Sequence, residues 1–319
     1  MYELLDADRD ALLRAAVAAP SMHNTQPWRF RFIGRTVEVY RDRERELPAE
    51  DPSRRMLFIS LGAAIFNLRV AAAARGMGSE VRHLVDQRRP DLIAVVELDG
   101  RPNEPMAALA PYLAERRTNR EPFTEERLPG QLRVELDLCA RVEGAVLQWF
   151  DTPNRRWWLR MATNEAVAAD DDSPARTAER RQWVGGVREG DGVPSSALRS
   201  REAGGKAVVR DLAATAVDAA RPAATFEREP QLAVLATRYD GPIEWLRAGQ
   251  ALEHVLLEAT ARGVATSLLN HAIEHEELRV QINDPLGPWQ RPQVVIRFGY
   301  GPPVPPTPRR AVGDVLMAD

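Results

Sequence analysis

The chain has 319 residues, 44% of them apolar and 28% charged, with a formal net charge of −3. That length suggests about two domains, and that composition excludes a disordered or fibrous chain. Balanced acids and bases argue against a dedicated nucleic-acid binder, and no continuous apolar run of about 18 residues points to a membrane span. Met1-Tyr2-Glu3-Leu4-Leu5-Asp6 lacks the basic-then-apolar pattern of a signal peptide, and the single cysteine, Cys139, cannot form an internal disulfide. A cytoplasmic protein is expected.

Asp8 to Ala19 reads as an amphipathic helix with acids in its first turn, stopped by Pro20. Trp28 to Ile33 and Thr36 to Tyr40 alternate apolar and polar residues about Gly34-Arg35, a hairpin pattern. Arg54 to Arg75 is a long helix with a broad apolar face, ended by Gly76; the small residues at its centre suit close approach of another helix. Glu80 to Val85 and Leu92 to Leu98 read as strands, and Met106 to Ala114 as a short helix.

Further on, a helix is expected over Gln131 to Arg141, a strand over Ala145 to Phe150 and a helix over Asn154 to Ala168, whose apolar pattern breaks at Asp170-Asp171-Asp172. From about 170 to 230 the chain is rich in glycine and charge, with a short helix indicated over Val208 to Ala220. An insertion of this length is a functional lid or a disordered segment. Gln231 to Thr237 and Pro292 to Phe298 read as strands, Pro242 to Arg262 as a long helix ended by Gly263, and Glu274 to Ile282 as a short one. The two long helices resemble each other at constant offset: Gly62-x-Ala64 matches Gly249-x-Ala251, and Ala72-x-Ala74-Arg75-Gly76 matches Ala259-x-Ala261-Arg262-Gly263. An ancient duplication, with the two helices packed about a pseudo-twofold axis, follows from that spacing.

Pro20-Ser21-Met22-His23-Asn24-Thr25-Gln26-Pro27-Trp28 carries more donors and acceptors than a connector needs, and suits a loop wrapped round a flat polar ligand. It resembles the Pro-Ser-x-x-Asn-x-Gln-Pro-Trp signature of the nitroreductase family of FMN proteins. Arg116-Arg117-Thr118-Asn119-Arg120 is similar to the family's Arg-x-Ser-x-Arg/Lys signature, with threonine in place of serine. Each half of the chain lacks the signature that the other keeps. This resembles the Acg-like subgroup, in which two nitroreductase-like halves are fused.

The resemblance implies an α+β, nitroreductase-like fold in which each half is a β-sheet flanked by helices. The halves, 1–114 and 115–319, would form a fused pseudo-dimer with a lid-like insertion at about 170–230, sharing one FMN. Pro20, Ser21, Met22, His23 and Asn24 would meet the polyol and ring, and Arg116, Arg117, Thr118, Asn119 and Arg120 the phosphate. Arg309 and Arg310 would join them near the C-terminus, and Leu268 and Leu269 would pass over the ring. Gln26, Pro27 and Trp28 either touch the cofactor or only hold the loop in shape. Guanidinium groups suit a dianionic phosphate because they bind it in charge-assisted pairs. Hydride would come from transient NADH or NADPH, since no Gly-x-Gly-x-x-Gly follows a strand. A small-molecule electron acceptor is expected, with no nucleic-acid or membrane partner, in a monomeric pseudo-dimer or loose homodimer. The other reading of the same residues is a flavin-sequestering protein whose lid covers the cofactor. No catalytic acid or base is singled out. His271 and His275 are four apart but lack a fuller ligand set, so no metal is expected.

Overall fold

The computed structural model describes residues 4–318 apart from 85, 87, 151, 204–211, 213–219 and 287–289. The opening helix α1, Asp6–Val17, leads into the hairpin β1, Trp28–Ile33, and β2, Thr36–Arg41. Then come the long helix α2, Arg55–Ala74, and strands β3, Glu80–His83, and β4, Leu92–Glu97. These strands form one antiparallel sheet in the order β1-β2-β4-β3. Trp28, Phe30 and Phe32 point inward while Arg29 and Ile33 face water, as the two-residue period of a half-buried strand dictates. The core under this sheet is built from α1, α2 and the inner faces of β1, β2 and β4.

The rest of the chain repeats that plan. Helix α3, Gly130–Val142, precedes β5, Val146–Trp149; β6, Gln231–Thr237, precedes the long helix α6, Pro242–Ala261; β7, Ala265–Leu268, and β8, Arg291–Gly299, follow. The second sheet is antiparallel in the order β5-β6-β8-β7, the same order as the first. Alternate residues of β6 serve opposite faces: Ala233 and Leu235 pack toward α3 and α6, whereas Leu232, Val234 and Ala236 pack toward a second layer. That layer includes α4, Pro153–Asp171, and the helices α7, His271–Glu274, and α8, Glu276–Leu286. Both strands of the sheet centre are therefore buried almost throughout.

Helices α2 and α6 cross in direct backbone contact. A β-carbon on Gly62 would lie 2.9 Å from Gly249 Cα and closer still to the Leu246 carbonyl oxygen; one on Gly249 would lie 2.8 Å from Gly62 Cα and closer still to that of Ile59. Each helix then ends on a glycine with positive φ, Gly76 at 76° and Gly263 at 69°. Helix α2 is long and apolar enough to cross a membrane by composition alone, yet 83% of that window is buried inside the protein.

Several boundaries differ from the sequence reading. Strand β7 was hidden because Ala265-Thr266-Ser267-Leu268 is short and has one polar pair at its centre. Helix α4 continues through the acidic run to Asp171, because Asp170 is not a solvated charge but 1% exposed beneath arginines. The insertion adopts regular structure: helix α5, Pro174–Trp183, a small apolar cluster of Val184, Val193 and Leu198, and a short parallel pairing of Arg201–Glu202 with Ala223–Ala224. The helix indicated over Val208 to Ala220 lies outside the described residues but for Leu212 and Ala220.

Candidate functional site

A cavity of about 330 Å³ opens between the loop after α1, the N-terminal half of α2, the segment 113–120, the end of β7, the extended segment 304–309 and the insertion. Its volume suits a small-molecule site.

The loop is held in an unusual conformation. Proline at position 20 ends the helix, and His23, Asn24 and Gln26 all take positive φ, at 48°, 56° and 51°. Such residues cost about 1–3 kcal/mol each and persist where their surroundings over-determine them. Here the surroundings are long-range hydrogen bonds. Asn24 Nδ2 donates to the carbonyls of Gly192 (2.8 Å) and Pro308 (2.9 Å), and its Oδ1 accepts from Arg309 (3.1 Å). Gln26 Nε2 donates to the Gly190 carbonyl, its Oε1 accepts from the Arg310 amide, and its own amide donates to Ser21 Oγ, each at 2.9 Å. Trp28 is fully buried in the first core. Gln26 and Trp28 thus shape the loop, and Asn24 fastens it to the insertion.

One expected result follows. Asn24→Gly keeps the positive φ but removes all three side-chain bonds, so the edge of the insertion should open more readily by roughly 1–3 kcal/mol. Deuterium uptake at 185–193 should rise while β6 stays protected.

The cationic wall comes from the segment after 115. Thr118 bridges to Thr266 at the edge of β7, which fixes the extended backbone. Arg116 is 3% exposed; its Nη2 donates to the Ala18 carbonyl at 3.2 Å, and its Nη1 is buried without a hydrogen-bond partner. Arg309 Nη2 donates to the same carbonyl at 3.2 Å. Burial, then the neighbouring charges of Arg116 and Arg117, pushes the Arg309 guanidinium down to about 9. Arg117 is lowered for the same reasons, burial first and then Arg116. Arg120 lies apart from this group; burial and then Arg221 bring it to about 10.

Pro20, Ser21, Met22, His23, Asn24, Arg116, Arg117, Thr118, Arg120, Leu268, Leu269 and Arg309 all line the one cavity. Asn119 and Arg310 do not. Asn119 donates from its amide to Thr266 (2.7 Å) and from Nδ2 to Pro302 (2.8 Å), pinning the segment to the sheet edge. Arg310 is buried among the Gln26 and Trp28 carbonyls and Asp42. Both are positioning residues because their hydrogen-bonding groups point into the frame.

Behind Arg116 stands Glu253 on α6, fully buried, with Oε1 3.3 Å from Arg116 Nε. Sequence reading passed over it, although an acid on the face that also carries Gly249, Leu256 and Leu257 was a legible signal. Burial pushes its carboxyl up to about 7, with Arg116, then Asn67, then Arg309 pulling the other way. A carboxyl raised on folding stabilises the fold fully below its ordinary value of 4.5, and that stability is lost as pH rises to about 7. The loss amounts to roughly 3 kcal/mol. Glu253→Gln should therefore flatten the fall in Tm between those pH values.

Val193, Ala197, Arg199 and Leu212 of the insertion also line the cavity, so it forms part of the wall. Helix α5 is fixed by Arg180, which donates from Nε to Glu50 Oε1 (2.8 Å) and from Nη2 to Asp170. Asp170 also pairs with Arg176 (2.5 Å) and His275 (3.0 Å). The two histidines four apart are thus served by carboxylates.

Two antiparallel sheets with crossed central helices, and an arginine-lined cavity beside a strained polar loop, define an α+β protein with a built cavity lined by charge. No protein-family model matches the chain. A Mycobacterium tuberculosis protein named "Putative NAD(P)H nitroreductase acg" is 30% identical over 322 residues, covering 95% of this chain and 93% of that one. An uncharacterized protein of the same organism is 32% identical over 318 residues, covering 95% and 90%. The chain belongs to the nitroreductase family and is Acg-like within it. Among solved structures, a nitroreductase-like family protein from Bacillus cereus aligns at TM-score 0.39 and 15% identity, over 66% of this chain and 95% of that one. An FMN- and NADPH-dependent nitroreductase from sphigopyxis sp. strain HMH aligns at TM-score 0.42 and 16% identity, over 66% of this chain and 98% of that one. Family membership rests on the sequence relatives.

Proposed function

We propose that the chain is an FMN-dependent oxidoreductase that uses NADH or NADPH to reduce small acceptors such as nitroaromatics and quinones. The observation that carries this is the buried Arg116 Nη1 without a partner, beside Arg117 and Arg309. Two clustered guanidinium groups driven below their ordinary basicity are short of negative charge, and a phosphate dianion supplies it. Arg116, Arg117, Arg309 and Thr118 would hold the phosphate. Ser21, Asn24 and the backbone of the strained loop would hold the polyol and ring edge, with Leu268 and Leu269 against the ring. FMN when bound would supply the hydride chemistry; the protein supplies binding, orientation and electrostatics.

The same proposal takes 1–114 and 115–319 as halves of one ancestral unit, sharing a single site at their seam. Three features support it: identical strand order, a long helix at the same place in each sheet, and the reciprocal Gly62–Gly249 crossing at the 187-residue offset already visible in sequence. The insertion falls between β5 and β6, where the first unit has only the Gly34-Arg35 turn. A cytoplasmic monomeric pseudo-dimer or loose homodimer fits this reading.

The insertion that lines the cavity and is bonded to Glu50, Asn24 and Gln26 favours a second reading, flavin sequestration with little turnover. One measurement separates them. Protein purified with FMN should approach one flavin per chain, and steady-state NADPH oxidation with p-benzoquinone should be brisk. Flavin without turnover supports sequestration; neither flavin uptake nor turnover sinks both.

A further inference from the structure

His23 lies in the strained part of the loop, at φ 48°, and lines the cavity. Only 7% of the side chain is exposed. Its Nε2 meets Glu50 Oε2, and its Nδ1 makes no hydrogen bond to a described residue. Glu50 is fully buried, and its other oxygen accepts from Arg180 Nε at 2.8 Å. Burial alone would push the Glu50 carboxyl up, but the His23 hydrogen bond and the charges of His23 and Arg180 outweigh it and leave it below the ordinary range. Glu50 is therefore a carboxylate, and a carboxylate fixes the imidazole proton on the nitrogen that faces it. The other ring nitrogen, Nδ1, belongs to a residue that lines the cavity.

The charged groups around this pair come from four elements. Glu50 precedes α2, Arg180 lies on α5, Asp170 at the end of α4 holds Arg180 from the other side, and Glu274 on α7 acts on Glu50 from a distance. No residue of the cationic anchor takes part.

We propose that His23, as imidazolium, is the proton donor to the acceptor, giving up the proton on Nδ1, with Glu50 as the positioning residue that holds the cation and keeps the other proton on Nε2. This rests on the reductase reading above. For a quinone the balance is two electrons and one hydrogen, delivered as hydride from the reduced cofactor, and one proton from His23 Nδ1, giving the hydroquinone. The imidazole left behind keeps Nε2–H on Glu50 and takes its replacement proton from water. A positioned acid of this kind contributes about 10²–10⁴-fold.

Two variants test it. His23→Asn suits positive φ and removes the acid; Glu50→Gln keeps the shape and removes the charge. In flavin-free, histidine-labelled protein, NMR should show a slowly exchanging downfield imidazole proton that is absent from both variants. In FMN-loaded His23→Asn, reduction by NADPH and reoxidation are followed separately by stopped-flow absorbance. Its reoxidation by p-benzoquinone should slow by about 100-fold and lose the D2O effect seen in the wild type. Wild-type reoxidation with a full D2O effect in His23→Asn overturns the proposal, as does a downfield proton that survives in Glu50→Gln. A wild type that binds FMN and turns over without any D2O effect overturns the role of His23 and leaves the reductase reading standing. A wild type that takes up no FMN overturns both.

Discussion

Replacing Gly62 by alanine should lower Tm by roughly 4–5 °C, corresponding to about 3 kcal/mol, and Gly249→Ala should do the same. In an exposed helix the exchange would gain about 1 kcal/mol, because glycine has more backbone entropy to lose. At this crossing the gain is overridden. The new methyl group meets the backbone of the opposite helix, which cannot swing aside as a flexible side chain would. Either helix would have to move away, and the cavity wall formed by Met56, Ile59, Ser60 and Leu252 would move with it. Because each glycine is the other's neighbour, the double variant should cost less than the sum of the two. Gly130→Ala is the control: it sits in a helix with open space around it and should be neutral or slightly stabilising. Thermal unfolding followed by circular dichroism measures all four.

Arg116→Met should weaken FMN binding by about 10- to 150-fold, the worth of one charge-assisted hydrogen bond of roughly 1.5–3 kcal/mol. It should also destabilise the protein itself by several kcal/mol above pH 7, because Glu253 would keep its burial and lose its nearest cation. The two effects are separable. Adding Glu253→Gln to Arg116→Met removes the stranded charge and should restore Tm but not FMN affinity. Arg309→Met should weaken FMN comparably, with a smaller loss of stability, since Arg309 acts on Glu253 less strongly than Arg116 does. Fluorescence quenching of FMN on titration gives the affinities. Equal FMN binding by wild type and both arginine variants would remove the phosphate assignment.

The parts of this site that were legible in the sequence are those written in local chemistry. Proline at 20, glycines 76 and 263, and the alternation in β1 each act within a few residues, so the loop, the helix ends and the hairpin follow from them. The recurrence of Gly62 at Gly249 carried longer-range information, and the close crossing of the two helices was legible from it. The rest depends on which distant residue arrives beside which. Asp170 reads as one of three surface acids until Arg176, Arg180 and His275 close around it. Asn119 and Arg310 match a binding pattern as well as their neighbours do, and only the direction of their side chains separates them. Glu50 gave no signal at all, since its partners lie on either side of it at 27 and 130 residues.

Asn24 and Arg309 touch across 285 residues of chain. On a ribosome, the loop is made long before its counterpart. A nascent chain that stops short of Arg309 cannot enclose the cavity, so cofactor capture has to follow the synthesis of both segments. Ligand bound at that seam then stabilises both sheets together, and growth conditions that starve cells of riboflavin should lower the yield of folded protein as well as its colour.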